Sequence, residues 1–575
     1  MSIRLRTIAT AAGLFLFALG MRLAYLEQAK SDPMSDVVHR IWDSLYYHRH
    51  ALALAGIDPR VDPVGSVPYF LGPLYSYFLA GVYALFLPDP GLAKQAQAVL
   101  GALSCVLVFG IGRALFGERA GLVAGLLLAC YGLAIYYAGV LLPASLELLL
   151  NLLFLWLLLR GERAPDWRAA LAAGVVAGLA TAAKTNAVLL VPAGMAVLWF
   201  APPRLPEATR LRTLAALALG VALAIAPFTL RNWVVSHQFV VMNTTGGRNL
   251  WKGWGPNANG THVPLVSPSA EGGARDPREP WTDLGDYLER RVDARRATEE
   301  SSYFTQKTIA YVIERPARAL ALGAKKLLLF ANAIELGNRD RYYFARRYSP
   351  LLQLPLPSFG LIASLGLVGA AFAWRRRPRT ALVYAFLAVQ VASYVIVFVL
   401  ARYRIVAAAA LCLFAGWLVV EAWDALRGRR WRSLSVGLVA VLVAAAVVHV
   451  PVGFGRERGF ASAHYELGYH YLQRGEARAA VAELERALAH GDWADPGLDV
   501  TTAVFRARLL LAQAWLEQGE KERGKAMLRD LLTELGDASP EHAKLRRSAE
   551  RQLRRLEFRR TPTPDDEPDL EPSFD

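Results

Sequence analysis

Long apolar segments alternate with short basic ones along most of this chain. Between residues 7 and 451, apolar runs of about 15–22 residues recur, and arginines close most of them. About 20 such residues carry a helix across the hydrocarbon layer of a membrane without leaving backbone groups unpaired. The pattern predicts eleven spans, at residues 7–26, 94–113, 120–139, 141–159, 169–183, 187–201, 211–229, 353–374, 380–400, 404–422 and 432–450.

The composition becomes that of a soluble protein after the last apolar run. The predicted fold is therefore all-α, with a polytopic transmembrane helical bundle followed by a soluble helical domain. We place the membrane body at residues 1–455, with outer loops at about 27–93 and 231–350, and the soluble domain at 456–558. Residues 559–575 are proline-rich and acidic, which is typical of a disordered tail.

Packing residues of the soluble domain occur in two related patterns. The first has the spacing of a tetratricopeptide repeat, with Leu467, Gly468, Tyr471, Ala480, Leu484 and Ala487. The second, weaker unit has Leu511, Ala512, Trp515, Gly524, Leu528 and Leu531. A final helix at about 540–558 would cap this stack. Such helix pairs usually bind a protein or peptide partner, and packing against the membrane body is the alternative.

The charge of the connecting loops predicts the orientation of the chain. With Arg4 and Arg6 in the cytoplasm, every short cytoplasmic loop carries arginine, as the positive-inside rule requires. These arginines are Arg113, Arg119, Arg160, Arg163, Arg168, Arg204, Arg210, Arg212, Arg375, Arg376, Arg377, Arg379, Arg427, Arg429, Arg430 and Arg432. Eleven spans then place the soluble domain in the periplasm of a bacterium. The net charge of +15 follows from this arrangement, so nucleic-acid binding is not predicted.

Both long outer segments contain further apolar stretches. Residues 69–87 either form a pair of spans or lie along the membrane surface, and the parity of the eleven spans favours the surface. Within residues 317–330, Arg318, Lys325 and Lys326 interrupt apolar positions, which is the pattern of a helix in the membrane interface.

A few cations on the outer side run against the charge rule. Arg402 and Arg404 lie between two predicted spans, and Lys184 lies in another tight outer turn. Arginine offers a fork of donors to a phosphate and lysine offers a point charge, so these residues could meet the phosphate of a lipid carrier. The alternative is that they extend to the lipid headgroups of the membrane.

Asp43 is the acidic residue that we select as a candidate general base. Residues 37–55 read as a helix on the outer side, and aromatic residues surround Asp43 in that helix. A carboxylate there could take a proton from an acceptor hydroxyl or amine, and partial burial would bring its pKa closer to the working pH. The alternative is a solvated acid on a surface helix.

No metal or nucleotide motif accompanies these candidates. His48 and His50 are two residues apart, so a helix would point them to different faces. The three cysteines lie within apolar runs and indicate neither disulfides nor a metal cluster. The sequence contains no Walker loop, dinucleotide-binding glycine motif or HExxH motif.

Several segments in this order resemble the GT-C superfamily of membrane glycosyltransferases. They are most similar to bacterial relatives of the protein O-mannosyltransferases and the lipid A aminoarabinose transferases. The segments are WDSLYYH at 42–48, GPLYSYFLA at 72–80, LLP at 141–143, KTN at 184–186, PFTLRNW at 227–233, TGGRNLW at 245–251 and ARYRI at 401–405. Together they cover roughly residues 4–421.

The chain departs from this family pattern at two places. Ser44 follows Asp43 where many members have a second acid, so a metal-bridging acidic pair is not expected and a divalent metal requirement stays open. Ala407 and its neighbours stand where many relatives have proline, which affects the start of a helix more than the chemistry.

The resemblance implies a sugar donor linked to polyprenyl phosphate and used on the periplasmic side. It implies that Asp43 is the base and that cations hold the donor phosphate, namely Lys184, Arg402, Arg404 and Arg231. Residues expected to shape the cavity or the acceptor site are Tyr46, Tyr47, Tyr403, Asn243, Gly247 and Trp251. The acceptor is left open among a glycan, a lipid and a protein.

Two other classes of protein compete with this interpretation. In the first, a catalytically dead membrane body is a scaffold that presents the soluble domain to a protein partner. In the second, the chain is a transporter, which would more often show inverted repeats and broken helices at the bilayer midplane. An Asp43 that shares a cavity with Arg402 and Arg404 favours the enzyme, whereas an outward-facing Asp43 favours the scaffold.

Overall fold

The computed structural model describes residues 3–35, 42–58, 67–163, 166–200, 206–263, 294–337, 342–374, 377–455, 459–493, 500–536 and 540–558. The chain divides into two compact units, Met1–Phe454 and Gly455–Asp575. Every regular element in the described ranges is helical, so the predicted all-α fold class is confirmed.

The described helices of the first unit are numbered here in chain order. They are α1 (Ile3–Ala29), α2 (Trp42–Leu54), α3 (Leu74–Leu85), α4 (Pro90–Phe116), α5 (Glu118–Ala129), α6 (Gly132–Tyr136), α7 (Ala144–Arg163), α8 (Trp167–Ala183), α9 (Leu190–Phe200), α10 (Glu207–Ser236), α11 (Gly246–Trp254), α12 (Ala294–Glu314), α13 (Pro316–Ala331), α14 (Tyr342–Ala345), α15 (Pro350–Gln353), α16 (Phe359–Ala373), α17 (Arg377–Ile396), α18 (Ala401–Arg427) and α19 (Trp431–Val448). Short 3₁₀ turns lie at Tyr137–Gly139, Thr185–Leu189 and Arg346–Tyr348.

Within the described residues, five helices are long and apolar enough to cross a membrane, namely α1, α4, α10, α18 and α19. A sixth candidate combines α5 with Gly132–Gly139, and the two parts are bent by 57°. Each of the eleven predicted spans overlaps a helix, although several of these helices are shorter than a full span. The chain is thus a multi-pass membrane protein, and the number eleven stays a prediction.

The first outer segment contains two short helices. The helix predicted at 37–55 is seen from Trp42 to Leu54, and residues 36–41 lie outside the described ranges. Within residues 69–87, α3 has 12 residues, fewer than the roughly 20 that cross the hydrocarbon layer. This length favours a position along the membrane surface over a pair of spans.

The second outer segment contributes α11, α12 and α13. The interfacial helix predicted at 317–330 corresponds to α13, which leaves Leu320, Leu327 and Leu328 exposed on one side. Lys326, which was expected to break the apolar pattern at the surface, is instead fully buried on the opposite side. The helix therefore has an apolar outer face and a charged residue in its inner face.

α18 is the central helix of the first unit. Over its most apolar 18 residues, 78% are buried within the protein. Small residues make this possible, because the run Ala407–Ala410 allows neighbouring helices to approach closely. The first turn of this buried helix carries Arg402, so the fold holds that residue on a rigid support.

The described part of the second unit has two pairs of helices, α20 (Phe460–Gln473) with α21 (Ala477–His490) and α22 (Val500–Gln518) with α23 (Lys521–Leu535), and a last helix, α24 (Pro540–Phe558). Gly468 of α20 faces Leu484 of α21, and an added Cβ would lie only 2.6 Å from the leucine side chain. Leu545 and Ala549 of α24 join a buried cluster with residues of α22 and α23. Assignment to the tetratricopeptide family stays a prediction, and the tail at 559–575 lies outside the described residues.

Candidate active site

Asp43 and Arg402 meet although 359 residues separate them in sequence. Asp43 lies in the first turn of α2, where a carboxylate is favoured by the helix dipole. Arg402 lies in the first turn of α18, and its Nη2 donates a hydrogen bond of 3.0 Å to Asp43 Oδ2. The arginine side chain is 13% exposed and the aspartate side chain 32% exposed. The pair is therefore half-buried and open to an incoming molecule.

Tyr403 joins Arg402 to Lys184. The tyrosine hydroxyl lies 3.5 Å from Arg402 Nη2, and the centre of its ring lies 3.5 Å from Lys184 Nζ. Tyr394 stacks on Tyr403 with ring centres 4.8 Å apart and also lies under the lysine ammonium. Aromatic faces attract cations. Two cations and one carboxylate are thus gathered around a pair of tyrosines.

Glu147 completes this cluster, and sequence reasoning missed it. Its Oε2 lies 3.3 Å from Lys184 Nζ, and its Oε1 accepts a hydrogen bond of 2.8 Å from the Tyr394 hydroxyl. The glutamate is buried near the start of α7. A carboxylate inside a predicted span at 141–159 was the signal that could have found it, because such residues are costly in a membrane and rarely lack a function.

Burial has a direct consequence for the charge of Lys184. Loss of water around the ammonium lowers the pKa of Lys184 to about 8, although the nearby Glu147 carboxylate opposes this shift. The neighbouring Arg402 lowers the same pKa further. Lys184 is therefore a cation at neutral pH that loses its proton in mildly alkaline solution.

The turn that holds Lys184 is tied to two other segments. Thr185 Oγ1 accepts a hydrogen bond of 2.9 Å from Asn243 Nδ2. Asn186 Nδ2 donates one of 3.1 Å to Ser393 Oγ. The structure thereby places Asn243, a predicted cavity residue, beside the Lys184 turn.

Tyr46 and Tyr47 follow Asp43 in α2 by about one helical turn. Both are buried, and Tyr47 contacts Tyr75 edge to face at 4.9 Å. Burial raises the pKa of Tyr46 to about 12, so its hydroxyl stays neutral over the physiological range. The role of the two tyrosines in shaping the cavity stays a prediction.

Arg231 belongs to a neighbouring cluster instead of the Asp43–Arg402 pair. Its Nη1 donates a hydrogen bond of 2.7 Å to the carbonyl of Val67, and its guanidinium lies over the ring of Tyr69 at 4.3 Å. Tyr69 in turn packs near His50 of α2. Its predicted contact with the donor phosphate stays a prediction.

The structure does not bring Arg404 to the site. This side chain is fully buried on the other side of α18, where its Nη2 bonds Glu335 Oε2 at 2.6 Å. The carbonyls of Asn332 and Ile334 accept further hydrogen bonds from it, each of 2.5 Å. We therefore correct the prediction for Arg404, since its Nη1 and Nη2 donors bind the protein itself and anchor residues 332–335.

Gly247 and Trp251 take packing positions, and their predicted cavity role stays a prediction. A Cβ on Gly247 would lie 1.9 Å from the carbonyl oxygen of Ser301, so glycine allows α11 to contact α12. Trp251 packs against Phe304 and Tyr311 of α12. These residues shape the second outer segment and contact the helix beside it.

A cavity of about 540 Å³ opens next to α2. Its walls come from the outer ends of α1 and α4, with polar and aromatic side chains that include Lys94, Tyr25 and Tyr136. Ser44, the neighbour of Asp43, also lines it, and the Ser44 hydroxyl is buried without a hydrogen-bond partner among the described residues. A second molecule could therefore reach α2 through this cavity.

Metal ligands are not clustered in the described ranges. No group of three or more histidine, cysteine, aspartate or glutamate residues there is arranged to hold a metal ion. His48 Nδ1 instead lies 2.9 Å from the hydroxyl of Tyr83. The need for a divalent metal thus stays as open as it was from the sequence.

Comparison with known families bears on this arrangement. Residues 67–230 match the family described as dolichyl-phosphate-mannose-protein mannosyltransferase. The GT-C resemblance is confirmed. The matching segment contains Glu147 and Lys184, while Asp43 and Arg402 lie outside it. This GT-C match supports a membrane glycosyltransferase.

Solved structures similar to this chain include oligosaccharyltransferases of the archaeon Archaeoglobus fulgidus. The apo form is 15% identical with a TM-score of 0.40, and the match covers 78% of this chain and 58% of that one. The AglB complex with an inhibitory peptide and a dolichol-phosphate is 14% identical with a TM-score of 0.43, covering 80% and 58%. The chain thus spans less than two thirds of these proteins. No curated protein matches the sequence.

Proposed function

We propose that this chain transfers a sugar from a polyprenyl-phosphate-linked donor to an acceptor on the periplasmic side of the bacterial inner membrane. The observation that carries the proposal is the meeting of Asp43 with Arg402 beside Lys184. One carboxylate and two cations are the groups that such a transfer needs. The distribution of loop arginines supports the periplasmic side.

Arg402 and Lys184 are the groups that we assign to the donor phosphate. The C1–O bond to that phosphate breaks during transfer, and the polyprenyl phosphate leaves with the electron pair. A cation fixed near the leaving oxygen stabilises this developing charge more than it stabilises the intact donor. Arginine suits the task because its planar fork matches two phosphate oxygens.

Asp43 is assigned to the acceptor. Its carboxylate takes the proton as the acceptor oxygen or nitrogen attacks the sugar C1. Before the donor binds, Arg402 occupies one carboxylate oxygen. A donor phosphate that attracts the arginine would leave this oxygen free for the acceptor proton. The cavity lined by Ser44 offers a route for a glycan, lipid or protein acceptor to reach α2.

The scaffold interpretation requires a membrane body without this chemistry. It expected Asp43 to face outward, whereas the carboxylate is paired with Arg402 in a half-buried cluster. The second unit can still bind a protein partner, and such a partner is compatible with an active transferase. The geometry therefore supports the enzyme over the scaffold.

The experiment that tests the proposal compares two kinds of donor. Membranes containing the protein receive the same radiolabelled sugars, carried either by polyprenyl phosphate or by a nucleotide. We expect label to be transferred only from a polyprenyl-phosphate donor, and only to acceptors on the periplasmic face of sealed vesicles. Transfer from the nucleotide donor alone, or on the cytoplasmic face, would contradict the proposal.

The ionisation of Lys184 should give donor binding an alkaline limit. Since the pKa of Lys184 is lowered to about 8, the cation is present below this pH and is lost above it. We expect the KM for the donor to rise between pH 7 and pH 9. Glu147→Gln removes a carboxylate that favours the charged lysine, so the rise should move to lower pH. Initial rates at varied donor concentration measure both effects.

Two further variants control this pH experiment. Lys184→Arg keeps its charge over this range and should remove the alkaline rise. Lys521→Arg changes an exposed lysine of the second unit and should follow the wild-type profile. An alkaline rise that persists in Lys184→Arg would assign the titration to another group.

A further inference from the structure

Lys326 is a buried lysine with an unusual set of partners. It lies in α13, is fully buried, and has its Nζ 2.7 Å from the carbonyl oxygen of Val397 and 3.1 Å from that of Val395. The indole ring of Trp254 lies 3.6 Å from the same ammonium, measured to the ring centre. Among the described contacts, no carboxylate pairs with it. Burying an ammonium in this way is costly, so the carbonyls and the aromatic face must offset the loss of water.

Val395 lies in the last turn of α17, and Val397 lies in the connection between α17 and α18. The segment 395–400 comprises the end of α17 and this connection. It ends immediately before the helix turn that carries Arg402. The last carbonyls of a helix and those of an irregular connection have no intrahelical partners, so they need partners from elsewhere. Lys326 donates hydrogen bonds to two of these carbonyls, those of Val395 and Val397.

The second outer segment contacts the same segment, residues 395–400, at three more points. Trp254 Nε1 donates a hydrogen bond of 2.5 Å to the carbonyl of Ile396. The amide of Val399 donates to the carbonyl of Gly260 at 3.0 Å. A Cβ on Gly253 would lie 1.9 Å from the carbonyl oxygen of Val397, so glycine is needed for this approach. Residues 395–400 are thus enclosed by α11, α13 and the loop between α11 and α12.

We propose that Lys326 is a positioning residue, which sets the conformation of residues 395–400 and thereby the direction of Arg402 toward Asp43 and the donor phosphate. The inference rests on the proposed function. Lys326 itself does not touch the substrate, because it is fully buried and its hydrogen bonds go to carbonyl groups. Its effect on Arg402 is transmitted by the backbone of residues 395–400, which leads directly into the first turn of α18.

The first test replaces Lys326 with methionine, which keeps the length of the side chain and removes its donors. A displacement of about 1 Å at a binding group can cost about 100-fold in rate, so we expect kcat/KM to fall by about 10–100-fold. The matched control is Lys325→Met, which changes the adjacent, exposed lysine and should behave like wild type. An unchanged kcat/KM in folded Lys326→Met would overturn the inference.

A second measurement separates positioning from a general loss of stability. Lys326→Met is combined with Arg402→Lys, which keeps a cation and hence a measurable residual rate. If Lys326 acts through Arg402, its replacement should change kcat/KM by no more than about twofold in this background, because residues that act through one another are not additive. A full, additive loss would show an effect independent of Arg402 and would overturn the inference.

If Lys326→Met does not yield folded protein, Trp254→Phe tests the same positioning role. Phenylalanine keeps an aromatic face under Lys326 but cannot donate to Ile396. Trp254→Phe should also lower kcat/KM in the wild-type background. In the Arg402→Lys background it should change kcat/KM little. Failure of the wild-type protein to transfer from any polyprenyl-phosphate donor would defeat the proposed function. An active wild type with additive Lys326 and Trp254 variants would defeat only the positioning role.

Discussion

Replacing Asp43 with asparagine is expected to lower the rate of sugar transfer by about 10²–10⁴-fold, the range usual for loss of a general base. Asparagine has nearly the same shape and can still accept a hydrogen bond from Arg402 through its amide oxygen. It cannot take a proton from an acceptor at neutral pH. The variant therefore removes the proposed chemistry while it preserves most of the contact of 3.0 Å with the arginine.

The measurement is transfer of radiolabelled sugar in membranes that contain equal amounts of folded protein. Asp166→Asn is the matched control, because Asp166 is an exposed residue that caps α8, and asparagine caps a helix equally well. That control should transfer sugar at the wild-type rate. Wild-type activity in Asp43→Asn would leave the family resemblance intact but exclude Asp43 as the base.

Replacing Arg404 with methionine is expected to have the largest effect on stability. Removing one partner of a buried ion pair usually costs about 3–5 kcal/mol, because the other charge stays buried without compensation. Here that charge is Glu335, which would retain a hydrogen bond of 2.8 Å from the Tyr131 hydroxyl. The carbonyls of Asn332 and Ile334 would lose their donors as well.

Unfolding of detergent-purified protein measures this effect. Two further variants test its cause. Arg402→Met changes an arginine two positions earlier on the same helix, so it should affect transfer strongly and unfolding only weakly. The double variant Arg404→Met with Glu335→Gln removes the orphaned charge and should recover part of the stability. A stable Arg404→Met protein with impaired donor binding would restore the original phosphate-binding prediction.

The contrast between Arg402 and Arg404 shows where reasoning from local pattern stops. Both were selected because they run against the charge rule on the outer side. Residues two apart on a helix point about 200° away from each other, so the two arginines could not share a face once the helix began at Ala401. The sequence alone left open whether they lay in a loop or a helix, and therefore which one faced Asp43.

Glu147 shows a different limit. The search for outer-side residues followed cations that could hold a phosphate, and an acid in an apolar run received no role. Its importance follows from two partners in other segments, Lys184 in a turn and Tyr394 in α17, which are 37 and 247 residues away. No local spacing encodes such a meeting.

Helices and their approximate ends followed from the chain itself, because a segment in lipid must satisfy its own backbone and shows this as a long apolar run. Lys184 and Arg402 were also recognisable, because cations on the outer side are rare, and Asp43 was selected from its place in a predicted helix among aromatic residues. Tertiary packing alone decided that Asp43 pairs with Arg402, that Arg404 anchors residues 332–335, and that Lys326 is buried against residues 395–400. The physical reason is that helix faces and loop paths depend on contacts between residues hundreds of positions apart, which leave no period or motif in the sequence.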